Sequence, residues 1–96
     1  MKISRKRAKA EAAKLEYWRL RGNTIARDAR FRDFAEAVRF VNRVARAAEL
    51  ANHHPDITIN YNRVRLRLTT HDEGGLTMKD FRLAARINKL AKRARS

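Results

Sequence analysis

Cysteine is absent from the 96-residue sequence, and the chain has only one proline and three glycines. Without cysteine there are no disulfides, no thiolate-bound zinc and no thiol nucleophile. A chain of 96 residues is too short to support two cores, so we expect one domain over residues 1–96. No window holds the roughly 20 apolar residues of a membrane span, and the basic N-terminus lacks the apolar run of a signal peptide. These absences predict a cytoplasmic protein with no membrane partner.

Acidic residues are also scarce, since ten of them accompany 24 Lys and Arg for a net charge of +14. The excess lies at the ends: residues 1–21 carry eight basic against two acidic side chains, residues 82–96 carry six against none, and residues 22–81 carry ten against eight. Such basic ends would attract RNA, DNA or an acidic partner weakly. Because aromatic side chains for base stacking are missing there, solubility is the simpler interpretation and a nucleic-acid partner is unsupported.

Hydrophobic periodicity predicts three helices. Ser4 can cap a short first helix, and Asp33 can cap a long second helix that runs to about Ala51. Thr77 can cap a third helix with Asp80 at its third position. The apolar stripe predicted for the second helix consists of Phe34, Ala37, Val38, Val41, Val44, Ala45 and Ala48.

Alternating apolar and polar residues predict four strands. Two of them flank the tight turn at Gly22-Asn23, and the second is interrupted by Arg27, which suggests an edge strand or a place where a charge reaches solvent. Residues 57–61 and 64–68 alternate in the same way and predict a hairpin. The predicted fold class is α+β: a two-layer sandwich in which helices cover one face of a four-stranded antiparallel sheet.

All three histidines lie between Glu49 and Asp80. Imidazole is the side chain whose ordinary pKa lies nearest neutrality, so three imidazoles with a carboxylate favour proton transfer. His53 and His54 alone could equally cap a helix end and turn the chain. His71, at the end of the neighbouring hairpin, makes them part of a site if the hairpin packs beside the helix end.

Other chemistries are less well supported by the same residues. Three imidazoles and a carboxylate could bind zinc or iron, but adjacent histidines seldom turn both rings to one ion and the spacing matches no metal motif. Nucleophilic catalysis lacks a cysteine and a nucleophile elbow. Helix capping alone explains Thr77 and Asp80. The sequence therefore predicts no metal site.

Four motifs follow one another in this region. They are Glu49-x-x-Asn52-His53-His54-Pro55, Tyr61-Asn62-x-Val64, Thr70-His71 and Gly75-Leu76-Thr77-x-x-Asp80. In this order they resemble the pterin-4a-carbinolamine dehydratases (4a-hydroxytetrahydrobiopterin dehydratases), and the resemblance extends from about Trp18 to Asn88. The two basic ends lie outside it.

The resemblance implies a hydro-lyase that dehydrates a 4a-hydroxytetrahydropterin to a quinonoid dihydropterin by histidine acid/base catalysis. An acid must protonate the leaving hydroxyl and a base must take a proton from the neighbouring ring nitrogen. By similarity, His53 and His71 would transfer the protons, His54 would hold the hydroxyl, and Asp80 would orient the set. The residues alone do not assign acid and base.

The resemblance also implies the other properties of the site. The positions that would contact the pterin substrate are Glu49, Asn52 and the backbone of Thr69 and Thr70. No cofactor or metal is implied, and the family suggests a homodimer or homotetramer. Ile57 replaces the tryptophan of many members and Ala29 replaces an aromatic residue of some, which affects substrate preference more than reaction type. The alternative is a non-catalytic binding module that acts as a transcriptional or assembly partner through its basic surface.

Overall fold

The computed structural model describes residues 1–95 and the side chains of residues 1–92, so the end of the predicted basic C-terminus lies outside the described part. The elements follow one another as predicted. They are α1 (Arg5–Ala13), β1 (Arg19–Arg21), β2 (Thr24–Arg30), α2 (Phe34–Ala51), β3 (Asp56–Asn60), β4 (Arg63–Leu68), a 3₁₀ turn (His71–Glu73) and α3 (Met78–Arg95). Within the described residues, no helix is both long enough and apolar enough to cross a bilayer.

The four strands form one antiparallel sheet in the order β1-β2-β4-β3. Along β4, Val64, Leu66 and Leu68 are buried while the arginines between them are exposed. This alternation puts the helices on one face of the sheet and leaves the other face open to solvent. The predicted α+β two-layer sandwich is confirmed.

The core lies between the sheet and the two long helices. Fully buried side chains from α2, β4 and α3 meet there, among them Phe40, Val44, Leu66, Leu68 and Ile87. The stripe predicted for α2 is confirmed at Ala37, Val44 and Ala48, but it omitted Phe40, the fourth buried residue of the helix. Phe34 begins the helix with 52% of its surface exposed, and Ala45 is exposed as well. Phe40 reaches the core because it occupies the i+3 position after Ala37.

The prediction for Arg27 was wrong. Strand β2 is central rather than at an edge, and Arg27 is only 3% exposed. Its Nη1 donates to Asn88 Oδ1 at 2.5 Å, and its guanidinium carbon lies 4.4 Å from the ring centre of Tyr17. Trp18 Nε1 donates to the same Asn88 oxygen at 2.8 Å. A charge is tolerated beneath the sheet because an amide oxygen and an aromatic face compensate for the lost water.

Helix caps begin α1 and α2 at the predicted residues. Ser4 accepts from the backbone N–H of Arg7, and Asp33 Oδ1 accepts from the N–H of Glu36 at 2.9 Å. That backbone hydrogen bond holds the pKa of Asp33 below its ordinary value. Glu36 Oε1 accepts in return from the N–H of Arg32 at 3.1 Å, one residue before the cap. These bonds satisfy donors that would otherwise lack partners at the helix starts.

Candidate active site

The end of α2 turns His53 toward α3. Asn52 adopts the left-handed conformation with φ 50° and ψ 44°, which asparagine tolerates better than most residues. The N–H of His53 then bonds to Ala48 O at 3.0 Å, as in a helix that closes with a left-handed residue. Pro55 follows and prevents the helix from continuing. The first histidine therefore leaves the helix in a fixed direction.

His53 and Asp80 form the central pair of the site. Nε2 of His53 lies 2.5 Å from Oδ1 of Asp80, and the two side chains are 11% and 0% exposed. With Asp80 as a carboxylate, Nε2 carries the proton of the bond, and Nδ1 of the neutral ring is left as an acceptor. The carboxylate thus selects both the orientation and the tautomer of the imidazole.

A series of hydroxyl groups holds the other oxygen of Asp80. Oδ2 accepts from Thr70 Oγ1 at 2.8 Å and from the N–H of Thr77 at 2.9 Å. Thr70 Oγ1 lies 2.9 Å from Thr77 Oγ1, which itself accepts from the N–H of Lys79 at 3.2 Å. Because the hydrogen of Thr70 goes to Asp80, Thr77 must donate to Thr70. Each polar atom in this buried series therefore has a partner.

Thr70 owes its position to a short loop that follows β4. It exchanges two backbone hydrogen bonds with Gly75, of 3.1 Å and 3.3 Å, across the His71–Glu73 turn. Gly74 closes this turn with φ 73°, a conformation that glycine adopts without strain. The loop thereby brings the end of β4 against the first turn of α3.

A second histidine–carboxylate pair lies beside the first. His54 Nε2 bonds to Glu49 Oε2, and the side chains are 59% and 75% exposed. Glu49 belongs to the last turns of α2, so this pair stands at the surface of the same helix end. Its exposure makes it accessible to a ligand.

The remaining predicted residues are not hydrogen-bonded to either pair. His71 opens the 3₁₀ turn and is exposed, and its ring makes no hydrogen bond within the side chains the structure describes. Asn52 is exposed too. Thr69 Oγ1 donates to Asn23 O at 2.6 Å and so points to the β1–β2 turn. His71 is nevertheless adjacent in sequence to Thr70, which is bonded to Asp80.

Sequence reasoning missed the side-chain roles of Thr70 and Thr77 in the support of Asp80. Thr77 was predicted only as a helix cap, and Thr70 only through its backbone. The Thr-x-x-Asp spacing held a signal, since it places the carboxylate at the N–H of Thr77. Nothing in the sequence indicates that Thr70 would pack against that helix start.

An open cleft of about 470 Å³ lies beside His53, between α2 and α3. Its size is within the range usual for small-molecule sites. Its lining consists of Ala47, Leu50, Ala51, His53, Lys79, Arg82, Leu83 and Arg86. Of the predicted site residues only His53 lines this cleft, and its three cationic side chains favour a ligand with electronegative atoms.

No group of three His, Cys, Asp or Glu side chains in the part of the chain that the structure describes is placed to hold a metal ion. His53 and His54 each bond to a different carboxylate, as expected for adjacent residues whose rings point apart. The chemistry that the arrangement offers is proton transfer at an oriented imidazole.

Comparison with known proteins gives a consistent family. Residues 1–90 match the family model described as Pterin 4 alpha carbinolamine dehydratase, which extends past Trp18 to include the basic N-terminal end. A protein of Acidobacterium capsulatum is 59% identical over 76 residues, covering 79% of this chain and 83% of its own. One of Trichormus variabilis is 51% identical over 81 residues, covering 84% and 87%. Both carry the name "Putative pterin-4-alpha-carbinolamine dehydratase".

Solved structures agree with this. A crystal structure of a transcriptional coactivator/pterin dehydratase from Brucella melitensis has a TM-score of 0.90 and 32% identity, covering 95% of this chain and 99% of the other. A pterin dehydratase-like RuBisCO assembly factor of the alpha-carboxysome has a TM-score of 0.68 at 24% identity, covering 79% and 90%, and shares the fold. With a family match over residues 1–90 and relatives up to 59% identical, this chain belongs to the pterin-4a-carbinolamine dehydratase family.

Proposed function

We propose that this protein dehydrates a 4a-hydroxytetrahydropterin to a quinonoid dihydropterin, using histidines as acid and base. The observation that carries the proposal is the pairing of His53 with the fully buried Asp80. A buried carboxylate that fixes one tautomer of an imidazole beside an open cleft is an arrangement suited to proton transfer. Membership of a dehydratase family supplies the reaction type.

The reaction needs two proton transfers. The bond between the ring carbon and the hydroxyl oxygen breaks, and the hydroxyl leaves as water after it gains a proton from an acid. A base removes the proton of the adjacent ring nitrogen, whose electron pair forms the new carbon–nitrogen double bond. No redox change occurs, so positioned imidazoles are sufficient for the chemistry.

The geometry suggests how the histidines divide this work. Because Nε2 of His53 is engaged by Asp80, its Nδ1 is the atom that can accept a proton, and we assign His53 as the base. His71, exposed and without an intramolecular partner among the described side chains, is then the acid. His54, oriented by Glu49, would hold the leaving hydroxyl.

Ring binding would use the surface around the same helix end. Glu49 and Asn52 are both exposed there and offer an acceptor and an amide to the edge of a pterin. The backbone of Thr69 and Thr70 lies in the loop that carries His71, so it could form hydrogen bonds with the opposite edge of the pterin. These four contacts are proposed from the family pattern together with this placement.

Stopped-flow spectroscopy of a freshly generated carbinolamine tests the proposal. Wild-type protein should accelerate its decay, in the presence of a chelator as well, and His53→Ala should lower the rate by roughly 10² to 10⁴. Asn42→Ala, an exposed change on α2, is the matched control and should retain full activity. Acceleration that disappears with chelator would restore a metal mechanism.

The competing function is a binding module without activity. It is favoured by the similarity to a structure described as a transcriptional coactivator/pterin dehydratase. A wild-type protein that leaves the spontaneous decay rate unchanged would support this alternative and overturn the enzymatic one.

A further inference from the structure

The open face of the sheet gathers arginines from all but one of its strands. Strand side chains alternate between faces, so residues two apart share one face. Leu20, Ile25 and Leu66 point to the helices, and their neighbours point outward. We call the outward set the arginine face: Arg19, Arg21, Arg30, Arg63, Arg65 and Arg67, all of them exposed.

Strand pairing places these arginines in rows across the sheet. Arg19 and Arg67 lie on either side of Ala26, and Arg30 lies opposite Arg63. Along β4 the arginines recur at every second residue, which corresponds to about 6.7 Å between successive Cα positions. The sheet therefore displays positive charge at regular intervals in two directions.

Two carboxylates share this face but do not neutralise it. Asp28 accepts from Arg65 Nε at 2.9 Å and from Arg19 Nη2 at 3.2 Å, and these groups hold the pKa of Asp28 below its ordinary value. Asp56 lies opposite Arg67 in the register. Six arginines against two aspartates leave four positive charges in excess. Asp28 also fixes the direction of two of the guanidinium groups.

The same face contains a groove of about 530 Å³. Thr58, Asn60 and the side chains of Arg30, Arg63 and Arg65 contribute to its lining. The groove is therefore rich in hydrogen-bond donors. The face lacks the large apolar or aromatic anchors that form the centre of most protein–protein interfaces.

We propose that the arginine face binds the phosphate backbone of a single-stranded nucleic acid without base preference. Guanidinium groups match phosphate oxygens with paired hydrogen bonds, and their regular spacing suits a regularly charged strand. Contacts to phosphate oxygens carry no sequence information, so binding through them has no base preference. The net charge of the sequence does not reveal this surface, because residues 22–81 are nearly balanced and only two of their eight acidic residues, Asp28 and Asp56, lie on this face of the sheet.

Fluorescence anisotropy on the full chain tests the proposal, with a labelled mixed-sequence DNA strand of about 16 nucleotides as the probe. The variant R63Q/R67Q keeps the bonds between Arg65 and Asp28. Its matched control, R39Q/R43Q, removes the same charge from exposed positions of α2. We expect R63Q/R67Q to weaken binding about tenfold. It should also reduce the slope of log K against log salt concentration by about 1.4, because each lost phosphate contact on a single strand changes that slope by about 0.7. The control should change affinity less than about twofold.

Other results would overturn the proposal. If both variants bind the probe equally weakly, the attraction is a general effect of net charge. If the wild-type chain does not bind the probe, the arginine face is not a nucleic-acid site. Displacement of the probe by polyglutamate at lower concentration than by unlabelled DNA would assign the face to an acidic protein. Circular dichroism checks that the variants are folded. If R63Q/R67Q is unfolded, the single variants R63Q and R67Q are measured in its place. The dehydration assay is independent of every outcome, because neither pair of arginines belongs to the proposed active site.

Discussion

Thr70 donates a hydrogen bond of 2.8 Å to Asp80, which has no exposed surface. This bond joins the loop after β4 to the first turn of α3. Since the other carboxylate oxygen faces His53, the position of the imidazole depends on a hydroxyl that is itself buried. Thr70 is in this sense a positioning residue, in addition to any contact that its backbone makes with a ligand.

Replacing Thr70 with valine should therefore impair catalysis while preserving shape. A hydrogen bond to a charged group contributes about 1.5–3 kcal/mol. If losing this bond raises the activation free energy by a similar amount, kcat should fall roughly 10- to 100-fold. KM should change much less. Thr70→Ser should restore most of the rate, and Thr58→Val on exposed β3 should have no effect. A valine variant with wild-type kcat would show that Asp80 does not need this hydroxyl.

His71→Ala tests whether the third imidazole belongs to the site. If it is the acid, turnover should fall by roughly 10² to 10⁴. The fold should be retained, because the side chain is exposed and makes no hydrogen bond with the described side chains. Asp72→Ala alters the neighbouring exposed residue of the same turn and serves as the control. Stopped-flow spectroscopy measures the turnover of the variant and circular dichroism its fold. A variant that is fully active, or that is inactive only because it is unfolded, would contradict the assignment of His71 as the acid.

Only part of the histidine site was predictable from the sequence. The motif around His53 and Asp80 predicted that the two residues would act together, and the structure joins them directly. That prediction rested on a family pattern, because helix capping explained Asp80 equally well. The contact of Thr70 with Asp80 depends on how a loop packs against a helix start, and no local periodicity reports such packing.

In the fold as well, contacts between residues close in sequence were predictable and contacts between distant residues were not. Caps at Ser4 and Asp33 were predictable because their partners lie within a few residues. Arg27 was misplaced because its acceptor, Asn88, is 61 residues away. A buried arginine and an exposed one have identical local sequence patterns. Only the tertiary arrangement of β2, α3 and Tyr17 supplies the compensating contacts.

Asp28 should make a small pH-dependent contribution to stability. Arg65 lowers its pKa below the ordinary 3.8, so the carboxylate stabilises the folded state above that pH and loses the effect as pH falls through the folded pKa. Because its side chain is 48% exposed, solvent screening limits the contribution to about 0.5 kcal/mol or less.

Urea denaturation can measure this contribution. Asp28→Asn should lower the free energy of unfolding slightly at pH 7, and the difference from wild type should disappear at an acid pH below the folded-state pKa of Asp28. Asp72→Asn, which removes an exposed carboxylate without an ion pair among the described side chains, is the control. A deficit that is equal at both pH values would assign the effect of Asp28 to packing.

Self-association is expected from the surfaces that the fold leaves unpaired. β1 and β3 are edge strands with free backbone hydrogen-bonding groups, and a small domain gains stability from association. Ile59 on β3 is 38% exposed, and Leu50 near the end of α2 is 80% exposed. These residues mark two separate candidate contacts, one at a sheet edge and one on a helix.

Analytical ultracentrifugation at tens of micromolar should show a homodimer or homotetramer. A lysine at either position would place a charge in an apolar contact, so Ile59→Lys should break an edge-to-edge interface and Leu50→Lys a helix-to-helix interface. A tetramer built from both contacts should be reduced to dimers by either variant. A dimer should respond to only one of them, and that variant identifies its interface. A wild-type chain that sediments as a monomer would contradict the expectation, since the exposed edge and the exposed leucine would then have no partner.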